Sequence, residues 1–260
     1  MSGSIWAVSL MGKKILVLVE GEKKDVRLME RLFDVYLAEF HKEIVSYKTN
    51  IYELYGQLFK DHDEDDIDLL QLLKSREPDK QKKAIFDVRY TEIFLIFDFD
   101  AQDALYDDQK LYRLMKFFSD STVNGRLYIN YPMVESFCHI HGWDEDYETY
   151  NFRSVPKSIL MNGTYKKIVQ NESCCSDIRK YGKVEFNKII DLNLAKISYL
   201  LYGDIRTPYM CDSSMLREIL KLECQTWNEK QSVDVLNTCI LYFYEYYPNL
   251  IGLLHEGVKT

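Results

Sequence analysis

The sequence predicts an α/β fold, a mainly parallel sheet flanked by helices with a helical appendage toward the C-terminus. Three observations predict it. Short apolar, β-rich runs alternate with helix-spaced segments through the first half of the chain. Two of those runs end in acids, Glu20 and Asp98-Phe99-Asp100, the placement that ligand groups take at the carboxyl ends of parallel strands. Beyond residue 150 the strand signals give way to helical periodicity.

The elements follow in order. Ile15–Glu20 reads as a strand closed by a turn at Gly21. From Lys24 to about His41, Val26, Met29, Leu32, Phe33, Tyr36, Leu37 and Phe40 recur at three and four, which predicts one helix. Ile44–Lys48 reads as a short strand, then Ile51–Phe59 and Ile67–Leu73 as short helices around an acidic run. Arg76–Lys83 is a polar connector containing Pro78. The strand Glu92–Phe97, a helix from about Asp107 to Phe118 and the strand Arg126–Asn130 come next. Pro132 is expected to open a helix reaching about His141, because proline suits the first helical turn. Lys183–Tyr202, Ser213–Trp227 and Val233–Tyr247 carry helical spacing. The expected division is a leader over 1–12, a metal-binding domain over 13–150 and a mainly helical region over 151–260. The apolar start lacks a basic flank and a small-residue cleavage site, so it is not read as a signal peptide.

Composition narrows the class. A 47% hydrophobic fraction with twenty tyrosines and thirteen phenylalanines supplies a core. No apolar stretch approaches the roughly 18 residues of a membrane span, so a cytoplasmic protein is expected. The six cysteines have neither disulfide-scaffold nor CxxC spacing and are read as reduced. Cys138, His139 and His141 lie close together, but no second pair at zinc spacing follows. A net charge of −8 argues against a generic nucleic-acid coat. Residues 151–190 nevertheless carry eight basic residues against three acids, a strip suited to a polyanion.

The chemistry concentrates in three segments. Val19-Glu20-Gly21-Glu22 places an acid at a strand end, before a glycine that permits close approach to a ligand. Asp98-Phe99-Asp100, with Asp103 three residues on, puts two carboxylates at one strand tip. Like charges that close call for a cation, and hard divalent Mg²⁺ or Mn²⁺ prefers such oxygens. Asn130-Tyr131-Pro132-Met133-Val134-Glu135-Ser136-Phe137 follows the next strand and can turn Glu135 toward the same edge.

In this order (strand–Glu–Gly, strand–Asp-x-Asp, strand–Pro-x-x-Glu) the chain resembles the Toprim fold of topoisomerases, primases and OLD-family nucleases. With His139 and His141 following, the third segment is similar to RloB-like, OLD-type Toprim proteins of bacterial anti-phage loci. The resemblance covers roughly residues 13–142. It implies that Glu20, Asp98, Asp100 and Glu135 are catalytic and that Glu20, Asp98 and Asp100 hold Mg²⁺ or Mn²⁺; Asp103, three residues past the pair, is read from its position as a further ligand. Either Glu22 or Asp25 can serve a second metal, because the pattern after the glycine departs from the family's.

The expected activity is a metal-dependent nuclease of DNA or RNA, the effector of an abortive-infection system. Glu20 or Glu135 would act as general base, and Lys166, Lys167, Arg179 and Lys180 would contact phosphates. The chain has no GxxxxGK[ST] phosphate loop, so by family analogy an ATPase partner is expected; homo-oligomerisation stays open. Two other readings remain. One is a non-catalytic Toprim-like sensor or regulatory subunit of an ATPase-containing complex. The other is a HAD-type phosphatase, which wants its aspartate pair on the first strand.

Overall fold

The computed structural model describes residues 13–60, 64–204 and 211–252. The expected 1–12 leader and the end of the C-terminal region lie outside the described residues.

β1 (Lys14–Val19) is buried at every position after the first, Ile15 through Val19 having no exposed surface. A strand buried on both faces belongs inside a parallel sheet covered on both sides. It pairs in parallel with β2 (His41–Ser46) and β3 (Glu92–Asp98), and β3 pairs in parallel with β5 (Gly125–Asn130). A two-residue β4 (Ser119–Asp120) closes the edge antiparallel to β5, giving the order β2-β1-β3-β5-β4. This mostly parallel five-stranded sheet flanked by helices is the expected α/β class and is compatible with a Toprim-like fold.

Helix α1 (Lys24–Tyr36) packs Leu28, Met29, Leu32 and Phe33 against the sheet. It stops short of the expected end at His41. The apolar spacing that pointed onward, Leu37 and Phe40, is satisfied by a turn in which the Phe40 N–H donates to the Leu37 carbonyl at 3.0 Å. Phe40 then meets Tyr247 edge-on at 5.5 Å, and β2 begins at His41, opposite Lys14. Lys48, the expected end of that strand, lies two residues past β2 and has φ +67. α2 (Ile51–Phe59) matches its expected bounds, and α3 (Asp108–Phe117) covers the same side of the sheet, with Phe59 and Phe117 in edge contact at 5.5 Å.

Two expected helices are corrected. Pro132 opens no helix: Tyr131 is still extended, exchanging backbone hydrogen bonds with Leu236 at 2.8 and 2.9 Å, and the Tyr131–Pro132 peptide is cis. Only a 3₁₀ turn follows, over Val134–Cys138. Val233–Tyr247 is likewise not one helix. Its β-branched start forms β7 (Ser232–Asp234), antiparallel to β6 (Ser154–Pro156), and the chain runs extended past Leu236.

α4 (Tyr165–Glu172) and α5 (Lys183–Tyr202) precede α6 (Ser213–Gln225) and α7 (Leu241–Tyr246). α7 lies on the sheet beside α1: Phe33 meets Phe243 at 5.3 Å, and Phe94 of β3 meets Tyr242 at 4.0 Å. Arg126 of β5, 1% exposed, donates to Glu245 of α7 at 2.8 Å, and the Tyr128 hydroxyl donates to the same carboxylate at 2.7 Å. Buried residues of the sheet and of the C-terminal helices thus form one continuous core. No helix among the described residues is long and apolar enough to cross a membrane.

Candidate metal centre and its surroundings

Register alone brings the acids together. Val19 pairs with Ile96, so the next residue, Glu20, stands beside the end of β3, its N–H donating to the Ile96 carbonyl at 3.1 Å. Asp98 pairs with Asn130, the last residue of β5, immediately before the turn that carries Glu135. The carboxyl ends of β1, β3 and β5 therefore open into one cleft of about 620 Å³ lined by Glu20, Asp25, Asp98, Asp100 and Glu135 together with Lys24 and Lys166.

Each carboxylate is held differently. Glu20 Oε2 accepts from the Asp98 N–H at 3.1 Å, and Asp98 Oδ1 accepts from the Val134 N–H at 2.7 Å. Burial, reinforced by the charge of Asp100, pushes Glu20 up to about 8. Burial and then the charges of Glu20 and Asp100 raise Asp98 well above the carboxylate range. Asp100 is also raised, by burial first, although Gln102 donates to it at 2.8 Å. Strand alternation does not bring Asp100 into the cleft: β3 ends at Asp98, and Asp100 sits at φ +38.

Asp25 joins them as a buried acid from the first turn of α1, while Glu22 lines only the exposed rim of the cleft. Asp25 is 6% exposed and raised by burial, whereas Glu22 is exposed and paired with Lys48 at 2.9 Å. Gly21 makes room for it, since a Cβ there would stand 2.4 Å from Asp25 Oδ2. Glu135 Oε1 faces Lys24 at 3.6 Å and Lys166 at 3.7 Å, while its buried Oε2 has no hydrogen-bond partner among the described residues. Desolvation works against the charge of Lys166, but Glu135, Asp98, Asp100 and Asp25 outweigh it and raise its pKa.

Buried carboxylates that repel one another, one with an orphaned oxygen, fit a hard divalent cation. Two of the oxygens are turned to backbone N–H groups, and the acids do not draw three ligand atoms within 4.8 Å of one another.

Asp103 lies apart from this lining. Its oxygens accept from Asn50 Nδ2 at 2.8 Å and from the Leu105 N–H at 2.7 Å, so it fastens the loop after β3.

Of the expected basic contacts, Lys166 reaches the cleft and Lys167 is exposed beside it on α4. Lys180 is exposed one residue beyond Arg179. Arg179 is engaged by Asp177 at 2.9 Å and lines a neighbouring groove whose other wall is α1. That wall presents Lys23, Arg27 and Arg31, a stripe outside the expected contacts. The four-residue spacing that aligns them on one helix face was its signal in the sequence.

Among the described residues, one triad brings three metal-ligand atoms within 4.8 Å of one another: His139, His141 and Glu172, a set able to hold a metal ion. Both imidazole Nε2–H groups donate to Glu172 Oε2, at 3.0 and 3.2 Å. The histidines were visible in the sequence, but their third partner lies 31 residues beyond His141, on α4. Cys138 stays out of the triad, its Sγ donating to the Glu135 carbonyl at 3.4 Å.

No protein-family model, curated protein or solved structure matches this chain.

Proposed function

We propose that the chain is a Mg²⁺- or Mn²⁺-dependent nuclease of Toprim type that hydrolyses phosphodiester bonds of DNA or RNA, the effector of an anti-phage system. One observation carries this reading. Glu20, Asp98, Asp100 and Asp25 are all pushed up in pKa within one cleft at the carboxyl edge of the sheet, with Glu135 beside them. Folding that crowds acids at such a cost makes sense where a cation discharges them.

Glu20, Asp98, Asp100 and Asp25 would hold the ion, with Glu135 beside them free to act on the water. When bound, a divalent ion of this kind polarises a phosphoryl oxygen and lowers the pKa of a coordinated water. Glu135 Oε2, buried and unpartnered, takes the proton of the attacking water. Lys24 and Lys166, within 4 Å of Glu135, counter the charge of the scissile phosphate. The stripe Lys23, Arg27 and Arg31 continues from Lys24 along α1 and offers a path for the flanking backbone, read by charge alone.

The test is incubation of purified protein with plasmid DNA, single-stranded DNA and total RNA, with and without Mg²⁺ or Mn²⁺. Cleavage that needs the ion and disappears in Asp98→Ala and Glu20→Gln is expected. If the ion binds but no substrate is cut, alone or beside an ATPase partner, the chain is a regulatory subunit.

A further inference from the structure

We propose a second metal site, built by His139, His141 and Glu172, that takes a borderline transition ion such as Zn²⁺ or Co²⁺ and pins α4 to the turn after β5. Two imidazoles and one carboxylate form the donor set of three-ligand zinc sites, which leave a fourth position open. It differs in kind from the all-oxygen cleft, whose carboxylates favour Mg²⁺ or Mn²⁺.

The ligands already converge. At zinc bond lengths of roughly 2.0–2.1 Å, tetrahedral ligand atoms stand roughly 3.3–3.4 Å apart. The two Nε2 atoms lie 3.0 and 3.2 Å from Glu172 Oε2, and the three ligand atoms lie within 4.8 Å of one another, so side-chain adjustment alone brings them onto one ion. Its bonds replace the two Nε2–H donations, and each imidazole keeps its proton on Nδ1. For His139 that nitrogen stands 3.2 Å from the Tyr165 hydroxyl, which orients the ring from behind.

The turn carrying the histidines is also fixed. The Arg153 guanidinium, ion-paired with Glu145, donates to the His139 carbonyl at 2.6 Å, and Glu145 Oε2 accepts from the His141 N–H at 3.0 Å. Both Arg153 and Glu145 side chains are nearly inaccessible, at 8% and 4% exposure. The outer side is open, with His141 and Glu172 about half exposed, so an ion can enter and a water can complete its shell.

The consequence runs along α4. Tyr165 and Glu172, at opposite ends of the helix, both bear on His139, and Lys166 beside Tyr165 reaches the acidic cleft. An ion at the triad therefore fixes the helix that positions Lys166. The metal site itself does not depend on the nuclease reading, and its test needs no cleavage assay.

Zn²⁺ is titrated calorimetrically into the full chain in excess Mg²⁺, which competes for the carboxylate cleft. Co²⁺ is followed by its visible absorption, and amide hydrogen exchange is measured over Tyr165–Glu172. A single Zn²⁺ per chain is expected, with a Co²⁺ spectrum free of sulfur-to-metal charge transfer and slower exchange along α4. His141→Ala and Glu172→Gln, both at exposed side chains, should abolish binding while circular dichroism stays unchanged. Tyr165→Phe should weaken it about 10-fold. Unaltered Zn²⁺ binding in both ligand variants, a thiolate-type Co²⁺ spectrum or no Zn²⁺ uptake by the wild-type chain would each overturn the proposal.

Discussion

The backbone N–H of Asp98 donates to the side-chain carboxylate of Glu20 at 3.1 Å, across the boundary between β3 and β1. The two acids are thus locked by sheet register, and their side chains can be changed without loosening the strands that carry them. Glu20→Gln keeps an acceptor for that N–H, while Asp98→Asn keeps one for Val134. Both variants should fold and lose the divalent ion. With free Mn²⁺ about 100-fold above its dissociation constant, the wild-type chain should gain about 2.7 kcal/mol of stability by mass action. Thermal denaturation with and without Mn²⁺ reads this directly, and the gain should vanish in either variant. A shift that survives in both would place the ion elsewhere.

The same acids give stability a pH dependence of definite sign. Glu20 titrates near 4.5 when unfolded and at about 8 when folded, so the folded state holds its proton more tightly. Its contribution is fully present below the unfolded value and is lost as pH rises through the folded one. Asp25, Asp98 and Asp100 are raised too and act in the same direction. The urea midpoint of the metal-free protein should fall from about pH 4.5 to about pH 8. Glu20→Gln should flatten the upper part of that slope, and Mn²⁺ should oppose it increasingly as pH rises. A metal-free protein that grows more stable over this interval would show the cluster to be charged and compensated from within.

Polyanion binding should depend on α1 more than on the strip after residue 150. Lys23, Arg27 and Arg31 share one groove wall with Glu30 and Asp34, Arg31 also donating to the Tyr181 carbonyl at 2.8 Å, whereas the charge of Arg179 is paired with Asp177, whose own pKa that contact lowers to about 2. Fluorescence anisotropy with a labelled oligonucleotide over a salt series measures the difference. Each alanine substitution at Lys23, Arg27 or Arg31 should reduce the logarithmic salt slope by about 1. Arg179→Ala should change it less. Equal effects at all four positions would return the strip to the role that its composition suggested.

The acids of the cleft were legible in the sequence because parallel register does the assembling. Once β1, β3 and β5 are recognised as neighbouring strands, Glu20 and Asp98 must meet at one edge, whereas Glu135 reaches it only through the turn that follows β5. Of the two alternatives for a second metal, Asp25 lies buried against Gly21 and Glu22 stands exposed at the rim, a difference in burial that spacing does not encode. Asp103 failed because spacing cannot tell a cleft acid from one that caps its own loop through Leu105. The helix expected from Pro132 failed for a non-local reason, a bridge from Tyr131 to the distant Leu236. Glu172 was out of reach in the same way: nothing local joins it to His139 and His141.

The C-terminal helices should prove inseparable from the sheet. Arg126 lies inside β5, its guanidinium donating to Glu245 of α7 and to the Ser119 carbonyl at 3.1 Å, under a face of Phe94, Tyr128 and Tyr242. A buried ion pair adds little net stability over a well-packed apolar replacement, but removing one partner strands the other charge. Arg126→Met should therefore cost about 3–5 kcal/mol, measured as a lowered urea midpoint at neutral pH. The double variant Arg126→Met/Glu245→Gln should recover part of that loss, since the amide that replaces the carboxylate carries no charge and still accepts from the Tyr128 hydroxyl. Because α7 also covers Phe33 of α1, unfolding followed by tryptophan fluorescence and by circular dichroism should give one coincident transition in the wild-type chain. Two separated transitions would mean that the sheet and the C-terminal helices unfold independently.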